Sequence, residues 1–126
     1  MFRHLNLAIL LIAAVVAVST ASCRAGKSGY DESVLRAREQ VLRDNLYQLR
    51  KSLDLYTADR VALPQSLDDL VKAGYLREIP DDPLTERKDW KVTIGVDPND
   101  KGKRGIVDVH SAATATSSEG TLYRDW

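Results

Sequence analysis

Apolar residues recur at helical spacing between about Asp31 and Asp59. They fall three, four or seven positions apart, which places them on one side of a helix. The members of this leucine stripe are Leu35, Leu42, Leu46, Leu49, Leu53 and Tyr56. The charged positions on the other faces predict a solvated surface, with contacts to neighbouring copies in an assembly as the alternative. These positions are Arg36, Arg38, Glu39, Arg43, Asp44, Arg50, Lys51 and Asp54. We expect the stripe to be the core side of a long helix that covers a sheet.

A second, short helix is predicted between Ser66 and Gly74. Ser66 stands three residues before Asp69, the spacing of a capping box, and Pro64 stops the first helix from continuing. Gly74 suits the left-handed backbone that often ends a helix. Leu67, Leu70 and Val71 form the side predicted to be buried.

The last third of the chain has the alternation of a small sheet. Trp90, Val92, Ile94 and Val96 alternate with polar residues or glycine, which predicts a strand with one buried face. A turn at 97–102 leads to a partner strand from Gly105 to His110, and a last short strand is expected at 122–126. The predicted fold class is α+β: a long helix packed on a small antiparallel sheet, plus one short helix.

The N-terminus has the pattern of an export segment. Arg3 precedes a 12-residue apolar run from Leu7 to Val18, and small residues follow it. A membrane-spanning helix needs about 20 apolar residues, so this run is short for one. Residues 1–22 are therefore predicted to be a signal peptide or a short membrane anchor.

Cys23 directly follows this segment. The string Thr20-Ala21-Ser22-Cys23 resembles the lipobox of bacterial lipoproteins, in which the cysteine is acylated and becomes the new N-terminus. Lipid attachment at Cys23, ordinary cleavage near Ala21 or Ser22 and an uncleaved anchor remain open as alternatives. Every alternative exports the rest of the chain, with residues 23–30 as a tether and 31–126 as the domain.

Charge and composition narrow the function classes. The chain has 18 basic and 18 acidic residues, one cysteine and two histidines. This balance gives no electrostatic footprint for nucleic acid. A single cysteine rules out an internal disulfide or a thiolate metal cluster. The sequence also has no phosphate-binding loop, dinucleotide fingerprint or paired-histidine motif, and we expect a protein that is not an enzyme.

The order of several short motifs resembles a known family. These motifs are Arg36 to Leu46, Leu55 to Asp59, Leu63 to Leu67, Gly74-Tyr75-Leu76, Ile79-Pro80, Asp82 to Thr85, Trp90, Val107 to Ser111, Gly120 to Tyr123 and Asp125-Trp126. Over residues 34–126 the series is similar to the major pseudopilins of type II secretion systems and to the related type IV pilins. No single motif is diagnostic, but their order is specific.

The resemblance implies a mechanical function. Pseudopilins are assembled into a short periplasmic fibre on the inner membrane, and the fibre helps to drive folded proteins through an outer-membrane channel. The implied partners are other pseudopilins or secretion-machine proteins, together with the membrane. The implied location is the bacterial cell envelope, facing the periplasm.

The N-terminus departs from the family's pattern. Pseudopilins have a glycine before the peptidase cut, a methylated phenylalanine after it and a glutamate five residues in. Phe2 has no glycine before it, and Asn6 is not acidic. The alternative is therefore a periplasmic lipoprotein that uses a pilin-like head as a monomeric binding module.

The resemblance also raises the question of calcium. In the family, the loop before the last strand binds this ion through Asp, Ser and backbone oxygens. The matching positions here are Asp108, Ser111, Glu119 and Asp125. Calcium takes about six to eight oxygen ligands. A weak calcium site and plain turn residues without metal are the two alternatives.

Overall fold

Two helices, a β-hairpin and a short 3-10 helix make up the fold of residues 29–126, which are the residues that this computed structural model describes. The order is α1 (Phe2–Arg60, of which residues 29–60 are described), α2 (Leu67–Lys72), β1 (Lys91–Val96), β2 (Arg104–His110) and the 3-10 helix (Tyr123–Asp125). The α+β class predicted from the sequence is therefore consistent with the structure.

The chain divides into two units, Met1–Leu35 and Arg36–Trp126. In the first, the hydroxyl of Ser33 donates a hydrogen bond to the carbonyl of Tyr30 at 2.8 Å. Gly29 and Tyr30 are already helical, although the sequence predicted a helix start at about Asp31. The second unit contains all the core residues described below.

From Leu42 onwards the leucine stripe of α1 faces the core of the second unit, whereas Leu35 belongs to the first unit and is half-buried. Leu42, Leu46, Leu49 and Leu53 are buried, and Tyr56 packs against them as a partly buried residue. The other buried core members are Leu70, Trp90, Ile106, Val109 and Tyr123. The core thus joins α1 to α2, to β2 and to the C-terminal segment.

Helix α2 is fixed at both ends by local hydrogen bonds. The carboxylate of Asp69 accepts from the amides of Gln65 at 2.9 Å and Ser66 at 3.2 Å. These bonds, that of Gln65 foremost, hold the pKa of Asp69 below its ordinary value. Gly74 has φ +84°, the left-handed conformation expected of a residue that ends a helix.

The hairpin pairs β1 with β2 in antiparallel register and contains one irregularity. Thr93 pairs with Asp108, whereas Ile94 pairs with Ile106, so Val107 is the extra residue of β2. Such a bulge bends the strand and increases its twist. The side chain of Val107 occupies the space where a Cβ on Gly95 would sit, 2.7 Å from Cγ1, so a glycine fits here.

The prediction of one buried face through Trp90, Val92, Ile94 and Val96 is confirmed for Trp90, which precedes β1, but is wrong for the three residues within β1. Val92, Ile94 and Val96 are 41%, 47% and 51% exposed. Among the described residues, none of the core members or of the residues packed against them belongs to β1. The core reaches only as far as Ile106 and Val109 of β2, so β1 lies beyond its edge.

The outer edge of β2 lies against the segment that follows α1. The amide of Ile106 donates to the carbonyl of Pro64 at 2.8 Å, and the side-chain amide of Gln65 donates to the carbonyl of Arg104 at 2.7 Å. A Cβ on Gly105 would lie 2.5 Å from Cβ of Leu63. Glycine therefore permits the close approach of the two backbones.

The predicted last strand is also wrong. Residues 123–125 form a 3-10 helix, and only a single bridge, Thr116 to Leu122, is strand-like. Tyr123 is buried and Trp126 packs against the core beside it, with their ring centroids 5.2 Å apart. A tight turn brings both aromatic rings towards α1, whereas an extended strand would direct neighbouring side chains to opposite faces.

Candidate assembly surface

Glu39 is a charged group buried where α1 meets the C-terminal loop. It is only 5% exposed. Its carboxylate accepts hydrogen bonds from the amide of Ser118 at 2.7 Å, from the hydroxyl of Ser118 at 2.5 Å and from the hydroxyl of Tyr123 at 2.7 Å. These bonds fix the loop 117–123 on the helix.

The same contacts determine the acidity of both side chains. Burial opposes ionisation of Glu39, but the bonds from Ser118 and Tyr123 and the charge of Arg43 outweigh it, so the pKa of Glu39 lies below its ordinary value. Burial, together with the bond to this carboxylate, raises the pKa of Tyr123 to about 12. Glu39 is therefore ionised and Tyr123 neutral at neutral pH.

Arg50 holds the end of the chain against α1. Its guanidinium donates to Asp108 at 2.8 Å, to the carbonyl of Val109 at 2.9 Å and to the main-chain oxygen of Trp126 at 2.6 Å. Burial opposes ionisation of Asp108, yet the bonds from Val109 and Arg50 place its pKa below the ordinary value. With these three hydrogen bonds, Arg50 stabilises the folded domain.

A groove of about 600 Å³ lies beside this contact, between α1 and the C-terminal aromatic ring. The guanidinium of Arg43 lies 4.3 Å from the ring centroid of Trp126 and 3.0 Å from the carboxylate of Glu119. The groove is lined by Arg43, Leu46, Tyr47, Arg50, Lys51, Asp54 and Trp126. Its mixture of cations and aromatic surface suits contact with another protein.

Two further buried carboxylates fasten loops to the domain. Asp82 accepts from the hydroxyl of Ser111 at 2.5 Å and from the amide of Leu84 at 2.8 Å. Asp97 accepts from the amides of Asn99 at 2.8 Å and Leu63 at 3.2 Å. Both carboxylates are committed to the fold.

The four positions suggested for calcium have separate partners. Asp108 pairs with Arg50, the hydroxyl of Ser111 with Asp82, Glu119 with Arg43 and Asp125 with its neighbour Arg124 at 3.9 Å. Within residues 29–126, no group of three or more His, Cys, Asp or Glu side chains is arranged to hold a metal ion. The structure thus does not bring Asp108, Glu119 and Asp125 together.

Several large apolar side chains remain at the surface of the second unit. On α1, Val41 is 48% and Leu55 is 45% exposed, while Tyr47 lines the groove. Val41 and Leu55 are about 21 Å apart along the helix, and at about 100° per residue they project within about 40° of each other, outside the leucine stripe. Together with the exposed face of β1, they give the domain two apolar surfaces without a partner among the described residues.

The predicted signal or anchor at 1–22, most of the tether at 23–30 and the lipid site Cys23 lie outside the described residues. Within residues 29–126, α1 offers no stretch long and apolar enough to cross a membrane.

The sequence-based prediction of a uniformly solvated charged face missed Glu39 and Arg50. Glu39 precedes Leu42 by three positions and Leu46 by seven, which is the spacing of the stripe itself. That spacing could have placed Glu39 at the buried side. No such signal exists for Arg50, because its partners lie 58 to 76 residues away.

Comparison of the chain with family models, with curated protein sequences and with solved structures finds no match. The resemblance to pseudopilins therefore rests on the ordered sequence motifs.

Proposed function

We propose that this protein is a non-enzymatic, pseudopilin-like subunit of a type II secretion or type IV pilus-like machine, acting through protein–protein assembly. The observation that carries the proposal is a long helix with two different sides. The leucine stripe of α1 packs on the small domain, whereas Val41 and Leu55 stay exposed on the other side. A helix with a free apolar side can pack against a helix of a neighbouring subunit.

The contacts of the domain suit a mechanical function. Glu39 and Arg50 join α1 to segments 58 to 84 residues further along the chain, so a force on the helix passes directly to the C-terminal loop. These groups are engaged in hydrogen bonds that hold the domain together. The proposal requires no cofactor, and calcium is not part of it.

The N-terminal sequence supports a position at the membrane, facing the periplasm. The apolar run from Leu7 to Val18 would serve as the membrane segment of such a subunit. The proposed partners are copies of this chain, other pseudopilins or components of the secretion machine.

The free side of α1 provides the test. In the source bacterium, deletion should reduce the release of secreted proteins or the assembly of pilus-like fibres. The double variant Val41→Asp and Leu55→Asp should reproduce this loss while the protein accumulates at normal levels, because both positions are exposed. Val61→Asp, which makes the same apolar-to-Asp change at an exposed position just beyond the end of α1, is the matched control and should leave secretion intact.

Unchanged secretion and fibre assembly in the deletion strain, together with no machine component co-purifying, would rule the proposal out. Equal loss in the double variant and in Val61→Asp would show that the free side of α1 has no special role.

The second candidate is a lipoprotein with a monomeric, pilin-like binding head. The sequence Thr20-Ala21-Ser22-Cys23 and the presence of Asn6 in place of the family's glutamate favour it. Such a protein would be monomeric and would fractionate with the outer membrane. Recovery in fibres with other pseudopilins would exclude this alternative.

A further inference from the structure

Strand β1 has one paired edge and one open edge. Among residues 29–126 it pairs only with β2, and the sheet has two strands. The far edge of β2 is occupied by the contacts of Pro64 and Gln65. The open edge of β1 is therefore the side of the sheet where the main chain is available for a further strand.

The apolar face of the sheet continues past the core at this edge. Val92 pairs with buried Val109, and Ile94 with buried Ile106, so each pair points to the same side of the sheet. The β1 members of these pairs are nevertheless 41% and 47% exposed. A strand added beside β1 would cover part of this apolar surface and pair its open main chain at once.

Cations stand at both ends of the strand. Lys91 begins β1, and Arg104 lies opposite Val96 at its end. Neither side chain has an ion-pair partner among the described residues. Between residues 87 and 104 there are six cations and three acids, and one of the acids, Asp97, is turned inward to bind backbone amides. The open edge therefore carries a net positive charge.

This positive charge determines which kind of strand can bind at the open edge of β1. If two copies of the chain paired through β1 in parallel, Lys91 would lie beside Lys91 of the second copy. In the antiparallel arrangement, each Lys91 would approach the end that carries Arg104. Like charges at such distances oppose pairing, whereas carboxylates at both ends of an incoming strand would be attracted.

We propose that the open edge of β1 binds an extended segment of a partner protein by strand addition. The segment has alternating apolar side chains and a carboxylate at each end, five residues apart. Residues five apart in a strand point to opposite faces, as Lys91 and the Val96–Arg104 pair do. Main-chain hydrogen bonds provide the affinity, and the side chains and charges provide the selectivity. Such binding would serve a fibre subunit and a monomeric lipoprotein alike.

The probe is an acetylated and amidated octapeptide, Ser-Glu-Thr-Val-Thr-Val-Glu-Ser, titrated into the full chain purified in detergent. Binding is followed by NMR through the backbone amides. The largest shifts should occur at residues 91–96, with slower hydrogen exchange of those amides. Two control peptides, one with lysine at both glutamate positions and one with proline at the first valine, should bind at least about tenfold more weakly, because they remove the attraction or the strand pairing.

Variants of the protein separate the contribution of the charges from that of the apolar face. Lys91→Glu combined with Arg104→Glu should weaken binding of the acidic peptide about tenfold and reverse the preference towards the lysine peptide. Ile94→Lys should weaken the binding of both peptides, because a charge on the apolar face opposes docking. Val41→Lys makes the same apolar-to-cation change at a similarly exposed site on α1 and should leave binding unchanged. Melting temperatures establish that each variant folds.

Peptide shifts that fall outside β1, or equal binding of the acidic and lysine peptides, would overturn the proposal. So would sedimentation of the protein as a dimer that Ile94→Lys disperses and the peptide does not, since the occupant of the edge would then be a second copy. The wild-type NMR measurement decides the location of binding even if a variant fails to fold. None of these outcomes depends on whether the protein is a fibre subunit.

Discussion

Ionised side chains of the domain act mainly as anchors for loops. Glu39 receives three hydrogen bonds from residues about 80 positions away, and Arg50 donates three to the end of the sheet and of the chain. In each case, hydrogen bonds within the protein replace the bonds to water that the ionised group makes in the unfolded chain. Removing Glu39 therefore leaves the buried hydroxyl of Tyr123 without a partner.

Glu39→Ala should lower the free energy of unfolding by about 3 kcal/mol, because three hydrogen bonds to a charged group are lost and the buried hydroxyl of Tyr123 is left unsatisfied. Urea denaturation followed by circular dichroism would measure the change. Glu119→Ala removes a carboxylate of the same size from an exposed ion pair and should cost less than about 1 kcal/mol. Equal losses would show that Glu39 is not an anchor.

The domain should lose stability in acid. Unfolded Glu39 titrates near pH 4.5, and its folded pKa is lower. The stabilisation from its ionised form is therefore complete above pH 4.5 and is lost as the pH falls through the folded pKa. The pKa values of Asp69, Asp97 and Asp108 are also lowered, from 3.8, and add to the effect at lower pH.

Glu39→Gln provides the measurement. The variant should be less stable at pH 7 but should show a shallower decline of melting temperature between pH 5 and pH 3. A decline parallel to that of the wild type would show that Glu39 has the same pKa in the folded and unfolded states.

At the scale of elements, local sequence predicts the helices and the hairpin but not which of their faces are buried. The spacing of the leucine stripe, the Ser66–Asp69 cap and the turn after Val96 act within a few residues, so the pattern is visible in the sequence. The exposure of Val92 and Ile94 depends on how far α1 extends over the sheet. The 3-10 turn at Tyr123 depends on Glu39, 84 residues away. Neither distance is encoded in a local pattern.

The two sides of α1 should respond differently to the same substitution. Leu46→Asp or Leu53→Asp places an unpaired charge in the core and should cost at least about 4 kcal/mol, a large part of the stability of a small domain. Leu55→Asp makes the identical change at a half-exposed position and should cost less than about 1 kcal/mol. Melting temperatures measure both. Comparable losses at Leu53 and Leu55 would contradict the observed orientation of the helix.

The contact between β2 and the segment after α1 depends on a single glycine. Gly105→Ala should lower stability by about 1–3 kcal/mol, because the added methyl group would lie 2.5 Å from Leu63 and 2.8 Å from the carbonyl of Pro64. Gly102→Ala, whose Cβ would meet only Asp100 at 3.4 Å, is the control and should change stability little. Thermal unfolding of the two variants compares them directly.

At the scale of the whole molecule, the N-terminus decides how the domain is held. Intact mass spectrometry of the membrane-extracted protein should find a chain that begins at an acylated Cys23 if the lipobox is used. A chain that retains residues 7–18 would instead assign them as the membrane segment, which strengthens the pseudopilin proposal. Cys23→Ser is the control and should abolish any lipid mass. Cleavage near Ser22 with an unmodified thiol would contradict both forms of anchoring.

The anchors Glu39 and Arg50 also affect the time at which the domain can fold. Both join an early helix to residues 108–126 across separations of 58 to 84 residues. Contacts this distant in sequence form late, because a long loop must close first. A chain that emerges N-terminus first from a ribosome or a translocation channel keeps α1 without these partners until Trp126 is clear. The domain therefore becomes rigid only after residues 108–126 have emerged.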